Sequence, residues 1–233
     1  VELLKALKAT GKPVILILTA GRPLALTETE PLADAILYTW SLGDQAGRAM
    51  ADVVFGDVNP SARLSTSFPR NVGQCPIYYN HTGRPHQDGA AYSRFNSNYL
   101  DCIHGPLYAF GHGLSYTTFE YSDVTLSNNE MTADGQVKAS VTVTNTGKRD
   151  GKEVVQLYVR DIYATSSRPV KELKGFEKIS LKAGESKTVS FEIGRKQLEY
   201  YNHALQLTVE PGDFEIMIGH DSQHVNKAKL TVN

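Results

Sequence analysis

The stretch LYAFGHGLSYTTFEY, residues 107–121, sets Gly111 and Gly113 beside His112 and the hydroxyls of Ser115 and Tyr116. Residues of these types serve phosphate loops, nucleophile turns and joints between domains. A phosphate loop needs a further glycine or lysine at fixed spacing and a helix N-terminus that meets the anion. Neither follows Gly113, where the pattern turns to strand-like alternation. Ser115 lies outside G-x-S-x-G and lacks a strand–turn–helix context. What remains is a joint. The glycines permit a tight turn, and Phe110, Leu114, Tyr116 and Phe119 are expected to wedge between two domains.

Other chemistry-bearing residues are dispersed. The seven histidines include no H-E-x-x-H. His81 and His86 read as solvated loop side chains, so no metal ligand set and no cofactor is assigned. Acid–base carboxylates must converge and be partly buried, and Asp34, Asp44, Asp52 and Asp57 read instead as helix charges or caps. Trp40, the only tryptophan, ends a predicted parallel strand and precedes the flexible SLGDQ. Ligands of open α/β sheets gather outside such strand ends. An indole there can stack on a sugar ring or pack at a domain interface, and the sequence leaves both open.

Two textures position these residues. VELLKALKATGKP sets Leu3, Leu4 and Leu7 on one helical face and stops at Gly11 and Pro13. PVILIL predicts a parallel strand buried on both faces, and LADAILYTW contains a second. GDQAGRAMADVVFGD predicts a helix with Ala46, Ala49, Met50 and Val53 inward, and RLSTSF a third strand. This order implies α/β, as part of an open parallel sheet. Such a sheet is too thin to stand alone, so the chain is expected to be a fragment with an unpaired edge. Residues 69–107 form a long Tyr-, Pro- and Gly-rich excursion. From about residue 120, QVKASVTVTNTGKRDG and the segments after it alternate like short antiparallel strands, the mark of an all-β sandwich.

Composition narrows the partners. Twenty-four basic and 25 acidic residues give a net charge of −1, which supplies no pull toward nucleic acid. No apolar run approaches the ~20 residues of a membrane-spanning helix. Cys75 and Cys102 have no metal-type spacing; they read as separate thiols, with one disulfide the alternative. Asn80-His81-Thr82 is a formal glycosylation sequon.

Taken together, GKPVILILTAGRPLAL, ADAILYTWSLGDQAGRAMADVVFGDVNPSARLSTSFPRNVGQCPIYYNH, PLYAFGHGLSYTTF, VTVTNTGKRDGKEVVQLYVRD, SRPVKELKGFEKISLKAGESKTVSFEI and EPGDFEIMIGHDS resemble the C-terminal portion of glycoside hydrolase family 3. Within that family they are most similar to bacterial periplasmic β-glucosidases. The likeness runs through essentially the whole chain. Ala62, Ala109, His112 and the pair Ser41-Leu42 depart from the usual family residues.

The resemblance implies a partial α/β sandwich over 1–107 and a fibronectin type III-like β-sandwich over 108–233, with the glycine stretch crossing between them. It implies retaining, exo-acting hydrolysis of terminal β-D-glucosyl residues, and a periplasmic or secreted location. The nucleophilic aspartate would lie in an N-terminal barrel and the acid/base glutamate upstream of Val1, so no catalytic residue is assigned. Carried over as the substrate-binding rim are Trp40, Tyr92 and Arg94. The implied partners are β-linked glucosides or oligosaccharides and the barrel of the same polypeptide, with a second copy of the chain possible at the open edge. The alternative is a carbohydrate-binding or purely structural buttress module, which exposed or buried aromatics on the sandwich would distinguish.

Overall fold

A computed structural model describes residues 1–82 and 99–233. Tyr92, Arg94 and His86 lie outside the described residues. The described chain divides into two compact units. The first takes Val1–Val58, Thr66–Tyr78 and residues 99–109; the second takes Asn59–Ser65, residues 79–82 and Phe110–Asn233.

In the first unit, helix α1 (Glu2–Lys8) carries Glu2 in its first turn and Lys5 and Lys8 in its last. Both placements complement the helix dipole. Strand β1 (Ile15–Leu18) pairs in parallel with β2 (Ala35–Tyr38). Asp34, just before β2, accepts from Lys8 Nζ at 2.7 Å and from the Val14 N–H at 2.8 Å. That carboxylate therefore ties the end of α1 to both strands, and the Lys8 ammonium holds its pKa below the usual range. The helix expected after β2 is α2 (Ala46–Val54).

Three expectations for this unit need correction. RLSTSF forms no strand; only Phe68 makes an isolated antiparallel bridge, to Tyr108. The strands are not buried on both faces, since Ile15 is 51% exposed, and α2 contains no fully buried residue although its apolar stripe is present. A two-stranded sheet offers its helices and outer face too little surface to cover them.

The second unit is a β-sandwich. Strands β3 (Phe119–Tyr121) and β4 (Thr125–Leu126) both pair with β6 (Gln136–Asn145), whose other side pairs with β9 (Ser186–Gly194). The facing sheet runs in the order β5 (Glu130–Met131), β13 (Val225–Val232), β12 (Gly212–Gly219), β7 (Gly151–Asp161), β8 (Glu172–Leu181). All of its pairings are antiparallel except that of β5 with β13. A short helix, α3 (Arg195–Leu198), and a small pair, β10 (Tyr200–Tyr201) with β11 (Leu207–Thr208), follow β9.

The period-two pattern in β6 places Val137, Ala139, Val141 and Val143 in one core with Val155, Leu157, Val159, Phe214, Ile216 and Ile218. Strand β7 departs from simple alternation because its other face is also covered, burying Gln156 and Tyr158. Gly111 accepts from the Gln156 amide there, and the Tyr79 ring meets that of Tyr158 edge-on at 5.9 Å. Gly111 and Leu64 exchange a backbone hydrogen bond of 2.7 Å, Leu64 donates to His112 at 2.8 Å, and Phe110 stacks on Tyr79 at 4.2 Å.

This packing explains the glycines of the opening stretch. Gly111 sits at φ +84°, and a β-carbon there would collide with the Gln156 amide. Gln156 cannot yield, because it donates to the carbonyls of Gly111 and His220 and accepts from Tyr158 Oη. A β-carbon on Gly113 would lie 2.5 Å from the Ala62 carbonyl oxygen. Phe110 and Phe119 each have partners inside this unit, Tyr79 and the sandwich core respectively. No helix among the described residues is long and apolar enough to cross a membrane.

Candidate functional site

Two places in the structure concentrate chemistry-bearing side chains. The first surrounds Trp40, two residues beyond β2. Thr39 Oγ1 donates to the Leu18 carbonyl at 3.0 Å and lies 2.8 Å from Thr19 Oγ1, clamping the two strand ends together. The Tyr38 hydroxyl donates to the Arg22 carbonyl. Trp40 then takes φ +55°, in the left-handed region that a residue with a β-carbon seldom adopts. Such strain persists where the surroundings hold it. Here the indole meets the Tyr38 ring edge-on at 5.0 Å and the Phe68 ring at 6.1 Å, and Phe68 is fully buried. Tyr108 extends the cluster from Phe68 at 6.2 Å.

The indole remains partly exposed at the carboxyl end of the parallel pair. Its ring contacts, to Tyr38 and Phe68, lie within the first unit. The excursion that follows is pinned by Gln74, buried and capped by Asn71. Its Nε2 donates to the carbonyls of Ile103 at 3.3 Å and Gly105 at 3.2 Å. Cys75 and Cys102 are free thiols.

The second place lies in the sandwich unit and holds its buried charges. Glu153 on β7 pairs with Arg63 and accepts from Tyr121 Oη at 2.8 Å. Burial raises the Glu153 pKa, against the Arg63 guanidinium and the Tyr121 hydrogen bond. The Tyr121 phenol is pushed up by burial and by that same carboxylate. Nearby in the sequence of β12 and its hairpin turn, Asp221 is fully buried. Burial would raise its pKa, but hydrogen bonds from His112, His224 and the backbone N–H groups of His224 and Gln223 win and hold it well below the usual carboxylate range. Desolvation lowers the His220 pKa, against the Asp221 charge.

Sequence spacing therefore missed this cluster. His112, His220 and His224 look scattered in the chain, yet the fold brings all three to one carboxylate. The readable signals were His112 standing where a tyrosine is usual and the pattern H-D-x-x-H in a turn.

Asp161, at the end of β7, is an acid whose pKa is raised. Burial raises its pKa to about 6, against the Arg168 charge and with the help of Glu210. Its Oδ2 is buried and lacks a hydrogen-bond partner. The folded state therefore binds a proton that the unfolded chain releases near pH 4, so stability falls as pH rises from about 4 to about 6. Asp161→Asn is expected to be more stable than the parent at pH 7.5 by about 1 kcal/mol, once screening by solvent on the open side is allowed for. The gain should vanish near pH 4, and urea unfolding at the two pH values measures it. An equal effect at both would dismiss the titration.

The fold defines the class of the molecule: a parallel α/β unit followed in sequence by a β-sandwich. Residues 1–116 match the glycosyl hydrolase family 3 C-terminal domain, and residues 153–222 match a fibronectin type III-like domain. A periplasmic β-glucosidase of Salmonella typhimurium is 56% identical over 98% of this chain and 30% of its own length. A β-xylosidase of Formosa agariphila is 48% identical over 95% of this chain and 30% of its own length. The structure of a β-glucosidase from Listeria innocua in complex with gluconolactone superposes with a TM-score of 0.94 at 42% identity, over all of this chain and 32% of that one. A D270A mutant of the Listeria innocua β-glucosidase in complex with laminaribiose gives a TM-score of 0.93 at the same identity, again over all of this chain and 32% of that one. The chain belongs to glycosyl hydrolase family 3. It spans about 30% of the length of the curated relatives it matches.

Proposed function

We propose that this chain is the C-terminal part of a retaining, exo-acting β-glucosidase that removes terminal β-D-glucosyl residues. The observation that carries this reading is the 56% identity to a periplasmic β-glucosidase through 98% of the chain. In the proposed reaction an aspartate attacks the anomeric carbon while a glutamic acid protonates the leaving oxygen, and water then hydrolyses the glycosyl-enzyme. In this reading neither carboxyl group is among residues 1–233.

The chain's own contribution is to the rim of the sugar site. Trp40, partly exposed at the carboxyl end of the parallel pair, stacks against a sugar ring, and Tyr92 and Arg94 join it in binding the sugar. The exposed apolar residues of the first unit, among them Ile15, Ile17 and Phe55, pack against the remainder of the polypeptide. The name of the Salmonella relative supports export to the periplasm.

Two other readings have specific support. The Formosa relatives named as β-xylosidases favour a pentoside substrate. On the sandwich, Tyr163, Phe176 and Tyr201 are exposed while Tyr158, Tyr200 and Phe214 are buried, so aromatic exposure gives a carbohydrate-binding role only partial support.

The test uses a polypeptide of the relatives' length that contains this chain, assayed with p-nitrophenyl β-D-glucoside and β-D-xyloside. The glucoside should have the higher kcat/KM, and Trp40→Ala should raise KM for it. Preference for the xyloside would reassign the sugar, and no turnover of either would overturn the enzymatic reading.

A further inference from the structure

The hairpin turn between β12 and β13 holds a donor set that the glycosidase reading does not use. Asp221 is fully buried, and both of its carboxylate oxygens are engaged, His224 Nδ1 lying 3.0 Å from Oδ1 and 2.9 Å from Oδ2. Oδ1 accepts the backbone N–H groups of Gln223 and His224, each at 2.8 Å, which locks the side chain in place. Oδ2 faces three imidazoles. His224 Nδ1 lies 2.9 Å from it, His220 Nε2 3.5 Å and His112 Nδ1 3.8 Å. Ligand atoms of His220, Asp221 and His224 all fall within 4.8 Å of one another.

Those separations suit a metal ion. Metal–ligand distances of about 2.0–2.2 Å place neighbouring donors roughly 3.0 Å apart at a right angle and roughly 3.4 Å apart at the tetrahedral angle. Two imidazole nitrogens and one carboxylate oxygen favour zinc-like first-row cations over magnesium or calcium, which take oxygen ligands. The hydrogen bonds on Oδ1 supply the outer support that fixes a ligating carboxylate. Access is open, since the His220 and His224 side chains are 41% and 65% exposed.

We propose that His220, Asp221 and His224 form a binding site for a divalent first-row transition metal of the zinc type. His112 comes from a segment already bound to this turn, where the Ser222 N–H donates to the Phe110 carbonyl at 2.9 Å. A metal would therefore close the hairpin turn itself, beside the segment that the Ser222–Phe110 hydrogen bond already holds there. Its role is structural, since the residues around it are committed to packing.

The test titrates Co2+ into tag-free protein and follows ligand-field absorption, with Zn2+ calorimetry in parallel. One equivalent should bind, with an absorption spectrum of nitrogen-ligated cobalt, and Zn2+ should displace it. Zinc should also raise the melting temperature in a concentration-dependent way, because it binds only the folded state. The double variant His220→Gln/His224→Gln changes only partly exposed side chains and should lose at least ~10-fold in affinity with its metal-free fold intact. Should that variant fail to fold, Asp221→Asn retains the Oδ1 acceptor and removes the facing ligand, so it must show the same loss. Absence of stoichiometric binding would overturn the site and leave a hydrogen-bonded turn. Binding of undiminished affinity in either variant would equally overturn it.

Discussion

Purified on its own, the 233-residue chain is expected to release no chromophore from aryl β-glucosides above the buffer rate. A polypeptide of its relatives' length should release it readily. Retaining hydrolysis needs two carboxyl groups about 5–5.5 Å apart at an open site, one ionised to attack and one protonated to donate. The perturbed carboxyls among the described residues are otherwise engaged. Glu153 is closed in by Arg63 and Tyr121, Asp221 by its imidazoles and backbone donors, and Asp34 by Lys8 and Val14. Asp161 and Glu210 come nearest to a matched acid and base, since one pKa is raised to about 6 and the other lowered. Yet Glu210 spends its oxygens on the Thr165 N–H at 2.9 Å and the Thr165 hydroxyl at 2.5 Å. Side-by-side assays of the two polypeptides decide the matter. Turnover by the 233-residue chain at a comparable rate, abolished by Asp161→Asn, would move the catalytic pair into this chain.

What could be read from the sequence was what depends on local period. The alternation of Val137, Ala139, Val141 and Val143 located β6 and its buried face, and the helical pattern at 46–54 located α2. Burial was less legible because it depends on neighbours distant in the chain. Gln156 and Tyr158 are buried because Gly111 and Tyr79, far off in the chain, meet them. Ile15 read as buried, and the structure leaves it open. RLSTSF has strand composition, but its residues spend their backbone groups elsewhere; Leu64 bonds to Gly111 and His112, and Phe68 to Tyr108. The site followed the same rule. Trp40 was visible as a lone indole at a strand end. The grouping of His112 with His220 and His224 was not, because a hairpin turn and a remote segment assemble it.

Arg63→Met is expected to destabilise the sandwich unit by about 3–5 kcal/mol at neutral pH, the usual cost of removing one partner from a buried ion pair. Arg63 makes two contacts, one to the Glu153 carboxylate and one to the Gly113 carbonyl. The pair is desolvated on both sides, with 9% of the Arg63 side chain and 1% of that of Glu153 exposed. Without the guanidinium, Glu153 keeps the Tyr121 hydroxyl and the Val154 backbone N–H and must take up a proton to remain buried. Protonation links the penalty to pH. The unfolded carboxyl ionises above about pH 4.3, so the cost should grow as pH rises from 5 to 8. Glu153→Gln removes the charge but leaves an acceptor for Tyr121. The double variant Arg63→Met/Glu153→Gln should therefore recover at least half of the loss and show a flatter pH dependence. Urea unfolding of the four proteins at pH 5 and pH 8 supplies the cycle. A single-variant loss below about 1 kcal/mol at pH 8 would place this pair among those that contribute little net stability, as exposed pairs do. A double variant as unstable as Arg63→Met would mean that the guanidinium acts through Gly113 and its packing. The buried charge would then not be the cause.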